Sequence, residues 1–69
     1  MITKGRATEF MRDLRGTVYH GDMSKANGGI MSAALIADHM GISIAEANEW
    51  MWACAEYGIT ERQGGAWVV

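Results

Sequence analysis

At 69 residues the chain is long enough for one domain and near the lower limit for a core that folds without disulfides or metals. A hydrophobic fraction of 49% excludes a disordered segment, and a single cysteine excludes an intrachain disulfide and fits a reducing compartment. The formal net charge of −2 is not that of a general nucleic-acid or membrane-surface binder.

The charge is unevenly spread. Residues 1–25 hold Lys4, Arg6, Arg12, Arg15 and Lys25 against Glu9, Asp13 and Asp22, whereas residues 26–69 hold Arg62 against Asp38, Glu46, Glu49, Glu56 and Glu61. No apolar run approaches the roughly 20 residues of a membrane span. Lys4, Gly5, Arg6, Glu9 and Arg12 interrupt any apolar signal core. A cytoplasmic protein without a membrane partner is expected.

Ala7, Phe10, Met11, Leu14 and Val18 recur at helical spacing and predict a first amphipathic helix over about residues 6–18, with Arg12, Asp13 and Arg15 on its outer side. From Tyr19 to Gly29 the apolar period is lost and the stretch closes on Asn27-Gly28-Gly29, the composition of a loop. Ile30 and Met31 can form a very short strand. Ser32 can cap a second helix, with Met31 and Ile36 placed for a hydrophobic staple, and Gly41 sits where a left-handed residue ends it.

Ser43-Ile44-Ala45-Glu46 has the spacing of a capping box and opens a third helix. Stepping about 100° per residue puts Ile44, Ala47, Trp50, Met51, Cys54, Ala55 and Tyr57 toward the core. The opposite face presents Ala45, Glu49, Trp52 and Glu56, flanked by Glu46, Asn48 and Ala53. Gly58 ends this helix and Ile59 can fold back over its last turn. Two short β-prone runs about Gly64-Gly65 then predict a hairpin over residues 59–69. The fold class expected is mainly α with a small β-hairpin: three helices, the second and third forming a helix-turn-helix over 32–57, plus a C-terminal wing.

Ile36-Ala37, Met40-Gly41-Ile42-Ser43, Tyr57-Gly58-Ile59 and the Gly64-Gly65 turn give the chain its likeness to a known family. Over about residues 7–69 it resembles the winged helix-turn-helix DNA-binding family, in size and layout the very small regulators of bacterial fimbrial operons (the FaeA/PapI-like group) and small phage-encoded regulators. The resemblance implies binding of double-stranded DNA, with the third helix in the major groove and the wing on the backbone or minor groove. The residues it nominates are Ser43, Ala45, Asn48, Glu49 and Trp52 on the helix, with Lys25, Arg62 and Gln63 on phosphates. One departure from the family pattern matters here. The outer face of the third helix carries glutamates and no lysine or arginine, so phosphate neutralisation has to come from Lys4, Arg6, Lys25 and Arg62.

Trp50 and Trp67 have core explanations, whereas Trp52 faces outward, where a large aromatic marks a contact unless the hairpin or the N-terminal segment covers it. An outward Trp52 rimmed by Glu49 and Glu56 also fits a second function, a winged-helix protein-interaction module or inhibitor docking on a basic partner. A homodimer or a larger protein partner is expected in either case, and a phage or plasmid origin suits both. His20, His39 and Cys54 lack metal-ligand spacing, neither histidine is placed to activate Cys54, and Gly28-Gly29 lacks the strand and Gly-Lys-Ser/Thr of a phosphate loop. The methionines read as core filler. Neither an enzyme nor a bound cofactor is expected.

Overall fold

A computed structural model describes residues 1–19 and 29–69 of the chain. Most of the expected loop, with His20, Lys25 and Gly28, lies outside the described residues. In chain order the elements are α1 (Lys4–Val18), β1 (Ile30–Met31), α2 (Ala33–Met40), α3 (Ile44–Glu56), β2 (Arg62–Gln63) and β3 (Ala66–Val68). The protein is therefore mainly helical with a small antiparallel sheet, a layout compatible with a winged helix.

Side-chain caps and glycine stops set most helix boundaries. The Thr3 hydroxyl accepts from the Arg6 N–H and starts α1 at Lys4, three residues before its first apolar-periodic position, Ala7. Ser32 accepts from the Leu35 N–H at 3.1 Å, and the stapling side chains Met31 and Ile36 are both buried. Gly41, at φ 66°, stops α2. Ser43 accepts from the Glu46 N–H at 3.1 Å, and its hydroxyl also meets the Glu46 carboxylate at 3.2 Å. The third helix closes with the Ile59 N–H on the Cys54 carbonyl and the Gly58 N–H on the Ala55 carbonyl, the paired bonds of a Schellman motif. Gly58 is left-handed at φ 73°, and Ile59 is packed against the core.

The hairpin expected at the C-terminus is part of a larger unit. The sheet order is β1-β3-β2, with Ile30↔Val68 and Met31↔Trp67 on one side of β3 and Arg62↔Trp67 and Gln63↔Ala66 on the other. The two-residue turn, Gly64 at φ 55° and Gly65 at φ 83°, has the positive dihedrals that a type I′ connection needs. Val69 donates to the Gly29 carbonyl at 2.7 Å and Val68 to the Glu61 carbonyl at 2.9 Å, which extends both edges of the sheet.

The core gathers Ala7, Phe10, Met11 and Leu14 of α1, Ile36 and Ala37 of α2, Ala47, Met51 and Cys54 of α3, and Met31, Trp67 and Val69 of the sheet. Two positions expected there are outside it. Ile44 is 54% exposed and Tyr57 38% exposed. Ile44 is the first residue of α3, where the helix has only begun to meet its neighbours. Tyr57 is drawn outward because its hydroxyl donates to the Ile2 carbonyl at 2.9 Å, which lays the ring against the N-terminal segment.

Two glycines separate backbone cost from steric cost. A Cβ at Gly58 or at Gly16 would meet nothing within 4 Å, but only Gly58 is left-handed. Gly58→Ala should destabilise by about 1–2 kcal/mol. Gly16→Ala, inside α1, should stabilise by about 0.5–1 kcal/mol. Thermal melts should therefore move in opposite directions, by about 4–8 °C per kcal/mol for a domain of this size. A melting temperature that falls for Gly16→Ala would show that this helix turn is constrained by something other than helix propensity.

Candidate functional site

The outer face of α3 is open to solvent along its length. Ser43, Ala45, Glu46, Glu49, Trp52 and Glu56 are all exposed, and Asn48 is half-buried. The face has this composition because α3 spends its apolar residues at Ala47, Met51 and Cys54 on the opposite side, and its sequence contains no lysine or arginine. Of the eight residues expected to contact DNA, five therefore share this face or its N-terminal edge, and Lys25 lies outside the described residues.

Arg62 and Gln63 are exposed on β2. Arg62 lies in the strand that precedes the turn, directly across from Trp67, so the two side chains leave the same face of the sheet. Its guanidinium stands 4.9 Å from the centre of the Trp52 ring and 5.0 Å from that of Trp67. The two indoles meet edge to face at 5.0 Å and 90°. Sequence reasoning found both Arg62 and Trp52 but could not join them, because the join depends on strand register. Stacking on an indole uses the face of the guanidinium and leaves N–H donors at its rim available to a ligand.

A second guanidinium stands on the other tryptophan of the helix. Trp50 is half-buried, stacks on Phe10 at 4.9 Å with 2° between the planes, and has Arg6 5.3 Å from its ring centre. Two of the four cations expected to offset the acidic helix thus come against α3, one at Trp50 and one at Trp52.

The N-terminal residues, one of the two segments expected to be able to cover Trp52, complete the site. Ile2 packs against the core, Thr3 caps α1, and Tyr57 holds the Ile2 carbonyl. This places Met1 and Ile2 beside α3, where with Trp52, Ala53 and Tyr57 they line a groove of about 480 Å³. Asn48, Glu49 and Glu56 supply its polar lining. Trp52 is 50% exposed, so the hairpin covers part of its ring and leaves the rest to the groove.

Among the described residues no three His, Cys, Asp or Glu side chains gather as a group that could hold a metal ion. Cys54 is fully buried, and its thiol donates to the Ala7 carbonyl at 3.5 Å, tying α3 to α1. Burial pushes that thiol from an ordinary 9.0 up to about 11, outweighing the opposing pull of the Arg15 charge and a backbone hydrogen bond. A thiol so protected is a poor nucleophile at neutral pH. No helix among the described residues is long and apolar enough to cross a membrane.

The buried thiol has a measurable consequence. Below about pH 9 it is protonated in both folded and unfolded chains and contributes no pH dependence. Above that the unfolded chain ionises first, so stability should be lost as pH rises toward 11, by up to about 2 kcal/mol. Denaturant melts at about pH 9 and about pH 11 should show the native chain losing more stability than Cys54→Ala over that interval, by about that amount. Equal losses would mean the thiol ionises without hindrance in the folded protein.

No protein-family model matches the chain, and comparison with curated proteins and with solved structures gives no match.

Proposed function

We propose that the chain is a winged helix-turn-helix module that binds double-stranded DNA as a small transcriptional regulator. The observation that carries this reading is the position of Arg62, a strand cation held beside the exposed outer face of α3 at 4.9 Å from Trp52. A winged helix uses those two parts together, the helix in the major groove and the wing on the backbone. The element order and the β1-β3-β2 sheet are compatible with it.

In this reading Ser43, Ala45, Asn48 and Glu49 approach base edges, since they occupy the exposed first turns of α3. An asparagine amide can pair with adenine and a glutamate can accept from the cytosine amine. Arg62 and Gln63 contact phosphates, and Lys4 and Arg6 add charge from the start of α1. One such module covers a small footprint, so it acts as a dimer or beside a larger protein.

A second reading, a protein-interaction module or inhibitor, is favoured by a separate observation. The groove beside Trp52 is lined by apolar side chains and by Glu49 and Glu56, a combination suited to a basic protein surface. The two readings divide on charge. DNA binding requires Arg62, and protein docking requires Trp52.

Titration of labelled random-sequence duplex, followed by anisotropy at about 50 and then about 200 mM salt, is the direct test. Binding should fall steeply with salt. Arg62→Ala should weaken it for every sequence and lower the salt slope by about 1. Absence of binding at low salt, with protein at about 100 µM or the weak limit of non-specific association, would end the DNA reading.

A further inference from the structure

We propose that the groove over α3 is a docking site for a cationic, amphipathic segment of a partner protein. One apolar side chain of that segment enters between Trp52 and the Met1–Ile2 pair, and its flanking lysines or arginines meet Glu49 and Glu56. This rests on the protein-interaction reading of the groove and names the chemistry of its partner; it uses part of the face that DNA would meet, so an occupied groove and a DNA-bound α3 exclude one another.

Shape and charge select this occupant. At about 480 Å³ the groove is within the range of pockets that enclose a small ligand. It has room for a side chain that projects from a backbone. Its walls are the half-exposed Trp52 indole, the Tyr57 ring, Ala53, Met1 and Ile2, and Glu49 and Glu56 are exposed on α3 about two turns apart. An apolar floor with carboxylates at the rim complements an apolar side chain flanked by cations. A half-exposed tryptophan in such a setting is the usual form of a binding hot spot.

The same features exclude the other occupants. Anionic lipid headgroups and phosphates meet the Glu49 and Glu56 carboxylates with like charge. A second copy of this chain would place the same acidic helix opposite itself about a two-fold axis. Charge complementarity therefore points to a foreign basic segment.

The test uses a fluorescein-labelled helical peptide with a leucine stripe flanked by lysines, titrated with the intact protein in the absence of DNA. Two control peptides carry glutamate for each lysine, or serine for each leucine. The Lys/Leu peptide should bind and both controls should bind at least about tenfold more weakly, a difference of one decade per 1.4 kcal/mol. Trp52→Ala should weaken binding by about 30-fold, the lower bound for a hot spot.

Because Trp52 also touches Trp67, a second variant guards against a folding defect. Glu49→Gln with Glu56→Gln leaves shape unchanged at exposed positions and should weaken binding at least about fivefold at low salt. Glu9→Gln with Asp38→Asn makes the same change in net charge at exposed positions outside the groove and should alter binding less than about twofold. Equal effects of the two pairs would overturn the proposal, since the attraction would then be that of net charge. So would a serine-substituted peptide that binds as well as the leucine one. A third adverse result would be a Glu49→Gln/Glu56→Gln protein that gains affinity for duplex while its peptide binding is unchanged. Because no DNA is present in the peptide titrations, their outcome is independent of whether the protein binds duplex.

Discussion

Trp67 is the side chain on which the two halves of the molecule meet. It is fully buried, lies opposite Met31 on β1 and Arg62 on β2, and meets Trp52 of α3 edge to face. A three-stranded sheet with two- and three-residue strands has too few ladder bonds to hold itself together in water. Its order depends on burying one large side chain at the central strand against the helices. That ring costs something as well, since its Nε1 is buried without a hydrogen-bond partner among the described residues. An unpaired buried donor is worth about 1–3 kcal/mol against folding. The apolar area of the indole and its two aromatic and cationic neighbours outweigh it.

The helices depend on a closer seam. Ala7 and Ala47 are fully buried, and the Cys54 thiol bonds the Ala7 carbonyl across α1 and α3. Small side chains at these places let the backbones approach, while Met11, Leu14, Ile36 and Met51 fill the space around them. Methionine suits such a core because its unbranched chain adapts to gaps left by helices of unequal length. The same closeness explains why the Cys54 thiol is harder to ionise than an ordinary one. A charge at Cys54 would stand in the driest part of the protein.

Local chemistry in the sequence was sufficient for the caps, the stops and the turn. Ser32, Ser43, Gly41, Gly58 and Gly64-Gly65 each act through atoms within a few residues, so their roles follow from spacing alone. A helical wheel also placed Trp52 outward and Ala47, Met51 and Cys54 inward. It failed at Ile44 and Tyr57, because periodicity gives the direction of a side chain and says nothing of how far the neighbouring elements extend to cover it. The groove was illegible for a related reason. Its walls join Met1 and Ile2 to Tyr57 through a hydrogen bond between residues 55 apart, which no local pattern encodes. The Arg62 contacts depend on strand register, and the loop ahead of β1 gave no register to read.

Charge on α3 governs what its outer face can accept. Three glutamates and no cation on the helix lower its affinity for any phosphate backbone, whatever the base sequence. For a DNA-binding winged helix this repulsion acts as a filter. In the proposed DNA reading it weakens all duplexes alike, and only a sequence that engages Asn48 and Glu49 would regain what was lost. Arg6 and Arg62, drawn onto Trp50 and Trp52, put positive charge at the flanks where a backbone would pass and leave the centre acidic. That division of charge also leaves the central groove free for a basic protein segment. If both proposed readings hold, a small module with one accessible helix can be held off DNA by a partner that competes for a part of one face, without any change in fold.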